Sequence, residues 1–148
     1  MKELHGRCLC GAIEYSVADN FQYMGFCHCS ECRRFSGSAF SAMGGVPSTS
    51  FHVLKGQESI AHYEKSKDSV MGFCSVCGSS LYALKPQKGM VHLRLGTLDE
   101  TPSMKPQFHS YVGSKVPWHQ IGDALPQFEA GRSATQRGIQ ADGLKPAA

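Results

Sequence analysis

Long hydrophobic runs are missing from this 148-residue chain. None approaches the ~20 apolar residues that span a bilayer, and the opening MKELHGRCLCG has no apolar core of the kind a secretory signal carries. The expectation is a cytoplasmic protein with no membrane partner. Charge of one sign is scarce too: Lys and Arg total 15 against 12 Asp and Glu, a net +3. No basic stripe is interleaved with aromatics, so no nucleic-acid partner is expected. No segment of ten or more residues keeps a convincing 3.6-residue period, which argues against a helical bundle. Cysteine is too sparse for a disulfide scaffold, since seven residues make about 5% of the chain against roughly 8–10% in such proteins. An odd count also fits paired bridges poorly. In a reducing compartment, clustered thiols more often bind metal or do chemistry.

What the chain does have is alternation. Ile13, Tyr15 and Val17 point one way with Glu14 and Ser16 between them, the period-two pattern of a half-buried strand. Segments 59–64, 69–74, 80–84 and 90–95 read the same way, and 38–43, 51–54 and 107–112 read as further strands. Glycine and proline punctuate them, at Gly44-Gly45, Pro47, Gly56, Gly78, Pro86, Gly89, Pro102 and Pro106. The one helical candidate is short, from Ser30 as N-cap to Gly37 just past its end. The expected fold is mainly β, with several small antiparallel sheets and one short helix near the cysteines. Residues 1–128 read as a single domain. Residues 129–148, with Ile139 and Leu144 as their large aliphatics, read as a C-terminal tail.

The cysteines fall into three groups: Cys8 and Cys10; Cys27, Cys29 and Cys32; Cys74 and Cys77. Residues i and i+2 of a strand face the same side, so Cys8 and Cys10 can reach one ion. Cys74 and Cys77 flank a tight loop in which Gly78 is free to take positive φ, and two such pairs complete a tetrahedron of four sulfurs. In the central group Cys27 and Cys29 share a face of an extended segment, while Cys32 returns from the first helical turn. Three protein ligands with one exchangeable position are the pattern of a catalytic zinc. Other readings stay open on spacing alone. Scattered cysteines often act as small buried apolar residues. A single zinc ribbon of Cys29, Cys32, Cys74 and Cys77 is also possible, as is a three-cysteine site closed by a histidine, with His109 and His92 conceivable and His28 pointing away. Cys29 and Cys32 could also form a redox-sensing disulfide.

Three stretches, Cys8-x-Cys10-Gly11, CHCSECRRFSGSAF from Cys27 to Phe40 and FCSVCGSSLY from Phe73 to Tyr82, resemble the glutathione-dependent formaldehyde-activating enzyme family, which also includes centromere protein V. GTLDETP from Gly96 and HSYVGSKVPWHQIGDALPQF from His109 are similar as well. The resemblance implies a β-tent zinc fold and two zincs per chain. It implies Cys8, Cys10, Cys74 and Cys77 as a structural site and Cys27, Cys29 and Cys32 as ligands of an open, catalytic one. It also implies a carbon–sulfur lyase type of activity, in which glutathione condenses with formaldehyde to S-hydroxymethylglutathione. The small-molecule partner would then be a thiol such as glutathione. Arg33 and Arg34 follow the last ligand directly and are suited to its carboxylates. Asp99, His109, Lys115 and Trp118 fall in the family pattern. The alternative is a non-catalytic binding module with both zincs structural.

Overall fold

In the computed structural model, which describes residues 1–132, the described chain is mainly β with one α-helix. The strands are β1 (Glu3–Arg7), β2 (Glu14–Ala18), β3 (Tyr23–Cys27), β4 (Ser41–Pro47), β5 (Phe51–Lys55), β6 (Ile60–Ser66), β7 (Ser69–Cys74), β8 (Ser80–Lys85), β9 (Met90–Arg94) and β10 (His109–Ser110); α1 spans Ser30–Ser36. The chain divides into two compact units, Met1–Tyr23 with Met43–Lys105, and Met24–Ala42 with Pro106–Ala148. Among the described residues no helix is long and apolar enough to cross a membrane.

In the first unit β1, β2 and β5 form an antiparallel sheet in that order, and β4, β9, β8, β7 and β6 follow one another in an antiparallel ladder. Period-two patterning holds over the first four residues of β9, where Val91 and Leu93 are buried and His92 less so, and breaks at Arg94, which is buried as well. It fails in β2. Tyr15 and Val17 are buried as the alternation expects, but so is Ser16 at 3% exposure; this strand is covered on both faces.

Gly44-Gly45 is not a break between strands. Both residues lie inside β4, where a β-carbon on Gly44 would sit 2.7 Å from the Phe21 ring and one on Gly45 would sit 2.3 Å from the Tyr23 ring. Aromatic rings occupy the space that side chains would take, so glycine here marks a close approach rather than a turn. The same packing hides β3, whose Gly25 would place a β-carbon 2.4 Å from the Phe108 ring. β1 escapes sequence patterning because only Leu4 and Gly6 of its five residues face inward.

The second unit pairs β10 with β3 in parallel, His109 against Phe26 and Ser110 against Cys27. Hydrogen bonds from Phe26 N to Phe108 O (2.9 Å) and from His28 N to Ser110 O (2.9 Å) extend this pairing. β10 is two residues long, shorter than the expected 107–112 segment, because Tyr111 turns to φ 57 and leads into a single turn at Val112–Ser114. Helix α1 ends as expected at Gly37 (φ 64), whose N–H reaches Arg33 O. Its N-cap is Cys29 and not Ser30: Cys29 is extended, and its sulfur accepts the Cys32 N–H. A cysteine sulfur has taken the place of the usual hydroxyl or carboxylate. Chain past Phe128 still packs on the body. Gly113 N donates to Glu129 O and Tyr111 N to Ala130 O, while the Arg132 guanidinium lies 3.8 Å from the centre of the Phe108 ring. The rest of the expected tail, 133–148, lies outside the described residues.

Candidate metal centres

The first unit carries Cys8, Cys10, Cys74 and Cys77, whose sulfurs all lie within 4.8 Å of one another. Cys74 ends β7, and Gly78 at φ 82 closes the loop after Cys77, with Gly78 N bonded to Cys74 O at 2.8 Å. Cys8 and Cys10 arrive on the turn after β1. The Cys8–Cys10 and Cys10–Cys74 sulfur separations are 3.7 and 3.9 Å. A tetrahedron with metal–sulfur bonds of about 2.3 Å has edges of ~3.8 Å, so the donor set fits such an ion. Backbone donors surround it: Ile13 N reaches Cys8 Sγ at 3.3 Å, and Val76 N and Cys77 N each reach Cys74 Sγ at 3.4 Å. Hydrogen bonds from Ser79, side chain first and then backbone, hold the Cys77 thiol down at about 5. At Cys8 and Cys77 these donors favour the thiolate form that a metal requires.

The second unit carries Cys27, Cys29 and Cys32, with sulfurs again within 4.8 Å of one another. Cys27 is the last residue of β3 and Cys32 lies in the first turn of α1, and the Cys27 and Cys29 sulfurs are 3.4 Å apart. Hydrogen bonds from the Cys27 and Cys32 thiols, helped by the backbone N–H groups of Cys32 and Glu31, draw Cys29 down to about 2, while the same Cys29 contact pushes Cys27 up. Cys29 Sγ thus gathers hydrogen bonds from Cys27 Sγ and from the Cys32 N–H. All seven thiols are free of disulfides.

Among the described residues, no histidine or carboxylate joins the trio. His92 Nε2 is taken by Tyr23 Oη at 2.6 Å. His109 bonds His28 through Nδ1 (2.8 Å) and Asp123 through Nε2 (3.0 Å). His28 is fully buried; burial first, then the neighbouring His109, His119 and Lys115, lowers it to about 4, so it is uncharged near neutrality. His28 and Asp123 were not singled out as site residues in the sequence, and the one signal for His28 is its place between two ligating cysteines.

Arg33 keeps a buried Nε with no hydrogen-bond partner, whereas Arg34 is exposed. Asp99 lies at the surface, 3.6 Å from Arg7 Nε. Lys115 is spent on the backbone, its Nζ donating to Val116 O at 3.0 Å and His119 O at 2.6 Å. Trp118 is 73% exposed.

The model of the glutathione-dependent formaldehyde-activating enzyme family matches residues 3–114. The chain belongs to that family. A Halomonas elongata relative, provisionally named a glutathione-dependent formaldehyde-activating enzyme, is 28% identical over 126 residues, covering 80% of each chain. A Colletotrichum graminicola protein with the same provisional name is 27% identical, over 74% of this chain and 61% of its own length. This family member therefore spans less than two thirds of its fungal counterpart. A Schizosaccharomyces pombe protein named as an uncharacterized lyase is 32% identical over 82 residues, 55% of this chain and 58% of the other. Among solved structures, a Rhodobacter sphaeroides protein of 21% identity superposes with a TM-score of 0.56, over 67% of this chain and 91% of that one, a likeness of fold.

Proposed function

We propose that this family member is a zinc enzyme of the carbon–sulfur lyase type acting on small thiol adducts, with glutathione and formaldehyde as the reference pair. The observation that carries the reading is the contrast in donor number: four sulfurs in one cluster, three in the other. Four thiolates saturate a zinc and suit a structural site. Three leave one coordination position for a substrate atom, the arrangement of catalytic zinc sites. An all-sulfur donor set favours zinc over hard oxygen-seeking cations. The bound metal would supply stabilisation of a thiolate at neutral pH.

In the reference reaction the glutathione sulfur adds to the carbonyl carbon. A sulfur–carbon bond forms, the carbonyl π pair moves to oxygen, and the thiol proton ends on that oxygen. Cys27, Cys29 and Cys32 are assigned as ligands at the reacting end. Arg33, with its unpartnered buried Nε, is assigned to a substrate carboxylate, with Arg34 contributing from the exposed side. Free thiols on every cysteine suit a reducing compartment such as the cytoplasm.

The test is metal content per chain for wild type and Cys27→Ser, before and after glutathione is added. Two zincs in wild type, one in the variant, and a glutathione-induced change confined to wild type are expected. A single zinc in wild-type protein kept reduced and unstripped would overturn the reading. So would indifference of the second zinc to glutathione.

A further inference from the structure

His28 lies between two of the three clustered cysteines, and in an extended segment successive side chains point to opposite faces. Cys27 and Cys29 face one way together; His28 faces the other, into the protein, and is fully buried. Its backbone N–H is fixed to Ser110 O at 2.9 Å. Its ring is fixed as well: Nε2 lies 2.8 Å from His109 Nδ1, His109 is 2% exposed, and His109 Nε2 lies 3.0 and 3.1 Å from the two Asp123 oxygens. Asp123 is held in turn by Leu125 N at 2.9 Å, and the His109 backbone is braced on both sides by Pro126 O and Phe128 N.

The carboxylate fixes the Asp123 end of this line. A carboxylate only accepts, so His109 Nε2 carries the hydrogen. One hydrogen spans His109 Nδ1 and His28 Nε2 at 2.8 Å. Both imidazoles are thereby held in one rotamer. A peptide anchored through the residue between two ligands cannot rotate without moving both sulfurs.

We propose that His109 and Asp123 are positioning residues of the three-cysteine centre, acting through His28 to hold Cys27 and Cys29 in ligating register. The inference rests on the metal-binding reading of that centre. It differs from the usual support of a metal site, where the outer hydrogen bond is made to the ligand's own side chain; here it is made to the residue between ligands. The line Asp123–His109–His28 contributes orientation, and no proton crosses it.

The test uses the full chain as wild type, Asp123→Ala, Asp123→Asn and His109→Ala, with zinc affinity of each centre measured by competition against a chromogenic chelator. Nitrogen-15 NMR reports the His28 and His109 tautomers. Loss of an outer hydrogen-bonding partner commonly weakens metal affinity by about 10–100-fold. His109→Ala is expected in that range at the three-cysteine centre and Asp123→Ala near its lower end, with the four-cysteine centre unchanged. In Asp123→Asn the remaining oxygen still accepts from His109, so both affinity and the His109 Nε2–H should return to wild type. That rescue separates orientation from bulk destabilisation. If His109→Ala does not fold, the two Asp123 variants decide. Wild-type affinity in Asp123→Ala, or tautomers unaffected by it, would overturn the inference while leaving the functional reading intact. A wild-type three-cysteine centre that takes no zinc would overturn both.

Discussion

The two cysteine clusters are built from the same atoms on opposite plans. The four-sulfur cluster gathers its donors from separate parts of the sequence: Cys10 and Cys74, 64 residues apart, bring their sulfurs to 3.9 Å. The three-sulfur cluster is collected from the six residues Cys27 to Cys32. Closing a long loop costs more chain entropy than closing a short one, so an ion that locks a long loop is coupled to folding. One that locks six residues is nearly independent of it. Donor number follows the same division: the cluster drawn from distant strands offers four sulfurs, and the local one offers three. Yet each plan ends one ligand strand alike, with Gly25-Phe26-Cys27 in β3 and Gly72-Phe73-Cys74 in β7. In both, the glycine lies beneath an aromatic ring, Phe108 in one and Tyr82 in the other.

The sharpest way to break this comparison is to remove one sulfur from each cluster. Cys74 is fully buried at the end of β7, and Cys74→Ser should cost several kcal/mol, since structural zinc sites contribute folding energy outright. The expected readout is loss of zinc together with loss of cooperative unfolding, or failure to stay soluble. Cys32→Ser should lose one zinc while its thermal midpoint shifts by only about 2–4 °C, the size of a 1 kcal/mol change in a chain of this length. Equal thermal losses in the two variants would refute the division between stapling and local centres.

Substituting the paired glycines sharpens it further. Gly72→Ala would push a β-carbon to 2.3 Å from the Tyr82 ring and Gly25→Ala to 2.4 Å from Phe108. Overpacking of this kind typically costs about 1–3 kcal/mol. Both variants should be destabilised in urea titrations. Only Gly25→Ala should also lose zinc from the three-sulfur cluster, because that cluster has no fourth protein ligand to hold Cys27 when β3 shifts.

The cysteine pairs were legible in the sequence because spacing alone nearly fixes their geometry: i and i+2 on an extended segment, i and i+3 around a tight loop. Five of the strands were legible for the same reason, their period-two patterns being local. Features set by distant partners were not. Gly44-Gly45 reads as a break until the Phe21 and Tyr23 rings are found over it. Ser30 reads as the cap of α1 because hydroxyls usually cap, whereas the Cys29 sulfur is already placed there by its neighbours. His28, His109 and Asp123 are separated by 81 and 14 positions, and nothing local to any of them announces the other two.

Acid should act on the first unit beyond its effect on the thiolates. Burial, and after it the charges of Lys85, Arg94 and Lys88, push His92 down to about 3, against roughly 6.5 for an unfolded histidine. Between those values the unfolded chain binds the proton and the folded chain does not, so stability is complete above about pH 6.5 and falls as the pH drops toward 3. The slope from this one group approaches ~1.4 kcal/mol per pH unit. In His92→Gln, compared with wild type at equal zinc loading, the acid limb should flatten across that window, measured by urea unfolding at stepped pH. An unchanged limb would mean that metal release alone governs acid sensitivity.

The mildest prediction concerns the outer contacts of the saturated centre. Ser79 Oγ accepts the Leu9 N–H at 2.8 Å and lies 3.2 Å from Cys77 Sγ, so one hydroxyl ties the Cys8–Cys10 turn to the Cys74–Cys77 loop. Ser79→Ala removes both contacts without adding bulk. Four sulfurs already fix those two segments, and Leu9 is exposed enough for water to take over its N–H. The cost should therefore be that of one ordinary hydrogen bond, about 0.5–1.5 kcal/mol, with two zincs retained and the Cys77 thiol titrating higher than in wild type when the metal is removed. A loss as large as that of Cys74→Ser would mean that hydrogen bonds, and not the number of sulfurs, hold the two segments together. The contrast between a saturated staple and an open local site would then have to be rebuilt on the outer contacts of each.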